Sequence, residues 1–131
     1  MHTNVTGTLM VTQAFLPLLQ KSRNPKIINI SSALESCSGL ASYSAKPKFL
    51  TTSYQCSKAA LNMLTKCLAD ELKNMVVLSV HPGWVQTDMG SSNNRSPPVT
   101  ISDSVKGIYK IAEDNNKSGG FFNFDGKVLP F

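Results

Sequence analysis

The chain has 131 residues, 41% of them hydrophobic and only 16% charged, which is enough apolar material for one globular core and too little length for two. Thirteen basic and eight acidic residues give a formal net charge of +5. The basic residues are scattered, which argues against a nucleic-acid partner, and no apolar run approaches the roughly 20 residues needed to span a membrane.

The first predicted element is a helix over residues 3–21, where apolar side chains recur at three- and four-residue spacing. Pro17 lies inside this pattern and is expected to kink or loosen the helix. A short run rich in β-branched residues, 26–30, predicts a buried strand that ends at Ser31 and Ser32.

Residues 33–52 are dominated by small and polar residues without periodicity, which predicts a long loop of the kind that is often functional. Helical spacing returns over residues 53–73. A second buried strand is predicted at 76–80 and is broken by the Pro82-Gly83 pair that follows it.

A polar segment through Pro98 predicts a second loop, and residues 103–113 a third helix, capped by Thr100 or Ser102. Residues 119–131 predict a short terminal strand with a turn at Asp125-Gly126.

The order helix, strand, helix, strand, helix, strand predicts an α/β fold with a parallel sheet covered by helices on both faces. Ligands on such sheets bind beyond the carboxyl ends of the strands. Ser31 and Ser32 follow one strand and Pro82-Gly83 the next, so both loops are expected to converge on one site.

Cysteine and histidine usage argues against disulfide and metal chemistry. Cys37, Cys56 and Cys67 form an odd set without CxxC spacing, and no secretory signal is recognisable, which favours a reduced, cytoplasmic protein. His2 and His81 have no cysteines or carboxylates at metal-ligand spacing around them, so no metal site is predicted.

Tyr54 and Lys58 are four residues apart, which places both side chains on one helical face, one turn apart. An ammonium beside a phenol stabilises the phenolate, so such a pair suits general acid/base work, although the spacing alone also arises by chance on many helices. Tyr43 lacks an equivalent partner, because its nearest downstream lysine, Lys46, is followed by the helix-breaking Pro47.

Four segments, in this order, resemble the short-chain dehydrogenase/reductase family: NVTG at 4–7, INISS at 28–32, YQCSKAAL at 54–61 and HPGWVQTDM at 81–89. The ending DGKVLPF, at 125–131, is similar to that of the family's C-factor and carbonyl-reductase-like branch. The resemblance runs over nearly the whole chain. It implies the C-terminal half of a Rossmann-like doubly wound parallel sheet.

The resemblance implies a catalytic set of Asn4, Ser32, Tyr54 and Lys58. Tyr54 is expected to exchange a proton with the substrate oxygen while hydride moves between the substrate carbon and a nicotinamide. Lys58 is expected to stabilise the phenolate form of Tyr54 and to bind the nicotinamide ribose. Ser32 is expected to donate a hydrogen bond to the substrate carbonyl. Asn4 is expected to lie in a locally bent helix whose backbone holds a proton-relaying water.

The implied cofactor is NADP or NAD, with NADP slightly favoured, and a mildly positive protein field is a further reason to expect a phosphorylated ligand. The implied substrate is a small carbonyl or alcohol compound. Cofactor contacts are implied for Tyr54, Lys58, Pro82, Gly83, Val85 and Thr87.

Structural alternatives remain open for three of these residues. Ser31 replaces Ser32 as the substrate ligand if the strand register differs by one residue, because neighbouring side chains on a strand point to opposite faces. Asn4 is alternatively a cap of the first helix, and Thr87 a cap of a short helix after the Pro-Gly turn.

The family's glycine-rich pyrophosphate turn, T-G-x-x-x-G-x-G, has no counterpart in residues 1–131, so the chain is interpreted as a single partial domain without the first Rossmann half. The leading hypothesis is the catalytic half of an NAD(P)-dependent oxidoreductase. The alternative is an inactive fragment that acts as a helix-pairing module, because the family's dimers commonly pack through the helices that correspond to 3–21 and 53–73.

Overall fold

The computed structural model describes residues 1–35, 49–92 and 95–131. The helices and strands follow in the order that the sequence predicts, except that one short helix lies in the segment predicted as the second loop. They are α1 (Thr8–Leu19), β1 (Lys26–Ile30), α2 (Phe49–Glu71), β2 (Val76–His81), α3 (Asp88–Ser91), α4 (Ile101–Asp114) and β3 (Phe121–Asn123), with a π-helical turn at His2–Gly7 and a 3-10 turn at Ala33–Glu35.

The three strands form one parallel sheet in the order β1-β2-β3. Ile30 on β1 is paired with Val80 on β2, and the amide of Ser31 extends this pairing by donating to the Val80 carbonyl at 2.8 Å. All three strands therefore end at one edge of the sheet, and the predicted α/β doubly wound fold class is confirmed.

Alternation along the strands divides the core between the two faces of the sheet. On one face, Val77 packs with Leu68 and Met75 beneath apolar side chains of α1 and α2. On the other face, Leu78 and Val80 pack against α4 and β3. Full burial of each such side chain contributes about 1.5–3 kcal/mol, so both helical layers are held chiefly by apolar contact.

A buried polar cluster fixes α2 over the sheet. Thr65 accepts hydrogen bonds from Asn29 Nδ2 at 2.8 Å and from Ser79 Oγ at 2.9 Å, and donates to the Leu61 carbonyl at 3.0 Å. Because Asn29 lies on β1 and Ser79 on β2, these bonds set the register of the helix against both strands. The N-terminal part of α2 consequently lies toward the carboxyl ends of the strands.

Hydrogen bonds from two further side chains, Lys26 and Ser104, fix α4 at its ends. Lys26 Nζ donates to the carbonyls of Ala112, Glu113 and Asn115 at 2.7–3.1 Å, which satisfies the last turn of the helix and complements its dipole. Near the N-terminus, Ser104 Oγ donates to the Pro82 carbonyl at 2.7 Å. The helix is thereby tied both to the start of β1 and to the turn after β2.

The first predicted helix needs one correction. Residues His2–Gly7 are π-helical, and only Thr8–Leu19 are α-helical. The helix continues past Pro17 to Leu19, so the main departure from α geometry lies ten residues before Pro17 rather than at it. Periodicity alone could not show this, because a single π turn preserves most of the three- and four-residue spacing.

The second helix also differs from its prediction, because it begins at Phe49, four residues before the predicted start. Thr and Ser residues in this first turn are weak helix formers, which hid it in the sequence. Residues 36–48, which include Cys37, Tyr43, Lys46 and Pro47, lie outside the described residues.

The last predicted elements are confirmed with adjusted limits. Thr100 is the cap of α4 and accepts from the Asp103 amide at 3.1 Å. The terminal strand is limited to β3, and Gly126 has a φ of +89° in the predicted turn, after which Val128 lies antiparallel to Phe122. No helix within the described ranges is both long and apolar enough to cross a membrane.

His81 gives this fold a testable acid sensitivity. Its Nδ1 is buried without a hydrogen-bond partner in the described part of the chain, and burial lowers the pKa of the imidazole from its usual 6.5. The unfolded chain therefore binds a proton before the folded chain does, and stability is lost as pH falls below 6.5 through the lower folded pKa.

We expect the free energy of unfolding, measured by urea titration, to fall between about pH 7.5 and about pH 5.5 by less in His81→Gln than in the wild type. The matched control is His2→Gln, because His2 is exposed, and it should keep the wild-type pH dependence. Equal pH dependence in all three proteins would show that His81 is not the group responsible.

Candidate active site

Two consecutive serines at the end of β1 have different surroundings. Ser31 Oγ donates to the backbone carbonyl of Lys58 at 3.5 Å, so its hydroxyl is directed at α2. Ser32 lies beyond the strand, is buried, and accepts from the Leu34 amide at 3.2 Å in a local turn. This difference favours Ser32 over Ser31 as the serine available to a substrate.

Tyr54 and Lys58 lie next to one another on α2, as their spacing predicts. Lys58 Nζ is 5.7 Å from the centre of the Tyr54 ring, within the range of a cation-π contact. The same ammonium donates to the carbonyl of Ile30 at 2.7 Å. Ile30 is the last residue of β1, so this bond places the Lys58 ammonium at the strand end that the two serines follow.

Burial controls the electrostatics of Lys58. The side chain is half-buried, and desolvation of the ammonium lowers its pKa below the ordinary 10.5. The bond to Ile30 uses one of three N–H donors, which leaves donors on the same group for the hydroxyls of a bound ribose. These features fit the reacting end of a nicotinamide nucleotide.

Asn4 lies inside the π-helical turn and reaches α2 through its side chain. Its Nδ2 donates to Ser57 Oγ at 2.9 Å, and the Ser57 hydroxyl donates to the carbonyl of Tyr54 at 2.7 Å. The alternative in which Asn4 caps the first helix is wrong, because Met1 occupies the N-cap position of the turn. The irregular turn agrees with the bent helix that the family resemblance implies.

The turn after β2 is closely packed. Gly83 has a φ of +85°, and a Cβ on this residue would lie 2.9 Å from the Phe124 ring and 3.1 Å from Val99. Glycine is therefore required both by backbone conformation and by space. Ser104 donates a hydrogen bond to the Pro82 carbonyl, which fixes the position of Pro82 and Gly83 at the end of β2.

The segment beyond this turn is ordered by local hydrogen bonds. Val85 bridges to Val99, and Trp84 Nε1 donates to the Gly90 carbonyl at 3.0 Å. Thr87 caps α3, because its Oγ1 accepts from the Gly90 amide at 3.2 Å, so the capping alternative for Thr87 is confirmed. A capping threonine keeps its hydroxyl at the surface, where a cofactor contact remains compatible with the cap.

Sequence reasoning missed Ser57. Its position within the YQCSK segment is visible, but the partner that makes it informative, Asn4, is 53 residues away in sequence. No local periodicity encodes that contact. Cys56, beside it, is an exposed free thiol.

Comparison with known proteins agrees with this geometry. A model of the short chain dehydrogenase family matches residues 1–98. The chain belongs to this family. It is 33% identical over 132 residues to C-signal of Myxococcus xanthus, and 35% identical over 140 residues to the short-chain dehydrogenase srdF of Neurospora crassa. These matches cover 98% and 99% of the chain, and 74% and 54% of the two relatives.

Solved structures show the same fold. The NADPH-bound carbonyl reductase from chicken fatty liver superposes with a TM-score of 0.85 at 38% identity, covering 98% of this chain and 54% of the other. The carbonyl reductase Sniffer of D. melanogaster gives a TM-score of 0.84 at 33% identity, covering 99% and 55%. The predicted family is confirmed, with carbonyl reductases among its relatives, and the chain spans about half the length of these structures.

Proposed function

We propose that this chain is the catalytic half of an NAD(P)-dependent oxidoreductase that acts on small carbonyl or alcohol substrates. The observation that carries the proposal is the Lys58 ammonium, which contacts the Tyr54 ring and is bonded to the last carbonyl of β1. This arrangement brings an acid/base pair to the strand ends, where ligands of doubly wound sheets bind.

The proposed roles follow from the chemistry of each side chain. A nicotinamide cofactor, when bound, supplies or accepts the hydride at the substrate carbon. Tyr54 donates a proton to the substrate oxygen during reduction, and the nearby Lys58 ammonium stabilises the phenolate that remains. Ser32 hydrogen-bonds the same oxygen as negative charge develops on it. Asn4 completes the set by holding a proton-relaying water through its backbone.

The proposed cofactor is NADP rather than NAD. Support comes from the chicken carbonyl reductase, which has NADPH bound, and from the net charge of +5, which favours a ligand with an additional phosphate. The nicotinamide is proposed to lie against Pro82, Gly83 and Val85, with Thr87 near its carboxamide. The Lys58 donors left by the Ile30 bond are proposed to hold the ribose.

The proposal of a half-domain rests on the open side of the sheet. β1 is an edge strand in the described residues, and Ile30 at its end is 43% exposed. Unpaired strand edges with exposed apolar side chains favour pairing with a further strand. A preceding Rossmann half would supply that strand together with the pyrophosphate turn.

A second candidate function is a helix-pairing module that is catalytically inactive. It is favoured by Val11, Phe15 and Leu18, which form a stripe on α1 and are each 56–61% exposed, and by Met63, 65% exposed, on α2. Exposed apolar patches of this kind mark association surfaces. The corresponding proposal is a homodimer through residues 3–21 and 53–73, which is compatible with either function.

The catalytic roles predict different effects of two substitutions in a protein that combines this chain with its nicotinamide-binding half. Tyr54→Phe removes only the proton donor, so turnover should fall about 100- to 10,000-fold while the cofactor dissociation constant changes little. Lys58→Ala removes both the ammonium and the ribose donors, so turnover and cofactor affinity should both fall.

Steady-state kinetics and fluorescence titration of the reduced cofactor measure these two quantities. Tyr109→Phe is the matched control, because Tyr109 lies exposed on α4, and it should behave like the wild type. Retention of wild-type turnover by Tyr54→Phe would contradict the assigned proton donor.

The half-domain proposal predicts the behaviour of the 131-residue chain alone. Ser32, Tyr54 and Lys58 reach only the reacting end of a cofactor, whereas contacts with remote parts supply the binding energy that holds the reacting geometry. We therefore expect no appreciable NAD(P)H-dependent reduction of carbonyl compounds by the chain alone. Activity should appear when an extended chain restores the upstream half.

Cofactor titration and turnover are measured on the two chains in parallel. Micromolar cofactor affinity with robust turnover by the short chain would overturn the half-domain proposal. Inactivity of both chains, with the short chain forming a dimer in sedimentation velocity, would favour the helix-pairing alternative.

A further inference from the structure

We propose that Ser57 is a positioning residue that couples the π-helical turn to the catalytic tyrosine. The proposal rests on the function proposed above. Ser57 stands at the centre of a two-bond chain in which Asn4 Nδ2 donates to Ser57 Oγ at 2.9 Å and Ser57 Oγ donates to the Tyr54 carbonyl at 2.7 Å. This chain joins the N-terminal turn to the helix that carries the proton donor.

The chemistry of the bridge requires a hydroxyl. Only a group that is both an acceptor and a donor can accept a hydrogen bond from the Asn4 amide and donate one to the Tyr54 carbonyl. Ser57 is 2% exposed, so bulk water is excluded from the hydroxyl, and its loss leaves two polar groups with poorer partners. Because both bonds run in the same direction, each polarises and strengthens the other.

The bridge acts on the helix as well as on Asn4. A serine hydroxyl that bonds back to a carbonyl in the preceding turn bends the helix at that point. In α2 the bonded carbonyl is that of Tyr54 itself, so the bridge constrains the backbone from which the tyrosine side chain extends. It also fixes the Asn4 side chain against α2, and with it the π-helical turn.

Lys58 is held independently of this bridge, through its bond to the Ile30 carbonyl. Loss of Ser57 should therefore disturb the proton donor and Asn4 while leaving the ribose-binding donor in place. Such a separation distinguishes a positioning role from general destabilisation, which would weaken cofactor binding and turnover together.

The first test uses the 131-residue chain without cofactor. Ring resonances of ¹³C-labelled tyrosine are recorded for Ser57→Ala, Asn4→Ala and the double variant, with assignment from Tyr54→Phe. We expect both single variants to shift the Tyr54 resonances, and the double variant to shift them no further, because the three groups act as one unit. Ser53→Ala, at an exposed position of the same helix, is the matched control and should produce no shift.

The second test measures turnover in the extended chain. Ser57→Ala should lower kcat about 10- to 100-fold, the loss expected from misplacing a reacting group by about 1 Å, with the cofactor KM unchanged. Ser57→Thr retains the hydroxyl and should recover most of the activity. A raised cofactor KM at normal kcat, or equal losses in Ser57→Ala and Ser57→Thr, would overturn the positioning role.

The two tests separate this inference from the proposed function. If the wild-type extended chain is itself inactive, the function fails and the resonance shifts alone decide the role of Ser57. If the enzyme is active but Ser57→Ala leaves both the Tyr54 resonances and kcat at wild-type values, the function stands and the positioning role is wrong.

Discussion

The hydrogen bond from Lys58 Nζ to the Ile30 carbonyl joins the helix that carries the proposed acid/base pair to the end of the first strand. Without it a half-buried ammonium would be unfavourable, because desolvation of a charge is costly unless a polar partner compensates. Desolvation by burial also lowers the pKa of Lys58 from its ordinary value. The Thr65 cluster supports this bond by setting the register of α2 over β1 and β2.

Local patterns predict those parts of the fold that short-range forces determine. The limits of β1 follow from its β-branched run, and the adjacency of Tyr54 and Lys58 follows from helical geometry. No local sequence pattern predicted the π-helical turn, the early start of α2 or the bond between Asn4 and Ser57. These features depend on contacts between distant segments. The chemical roles of the site residues came from resemblance to a family and not from periodicity.

We propose that the described residues form the reacting end of the site and that the remainder of a cofactor is held elsewhere. Three strands, with α2 and the N-terminal turn, assemble the acid/base residues within the described part of the chain. The same region contains unfavourable features, since Asn62 and His81 have buried polar atoms without partners there and β1 has a free edge. This combination supports the proposed half-domain, in which the remaining cofactor contacts are supplied elsewhere.

We propose that the ends of β1 and β2 form the nicotinamide end of an oxidoreductase site. The most direct test is to titrate the ¹⁵N-labelled 131-residue chain with reduced nicotinamide mononucleotide, which carries the reacting ring and one ribose, and to follow amide resonances by NMR. We expect saturable shifts at Lys58, Gly83 and Thr87, and we expect Lys58→Ala to weaken them. Saturable shifts confined to the outer face of α4, or none at Lys58 and Gly83 at saturating ligand, would contradict this proposal.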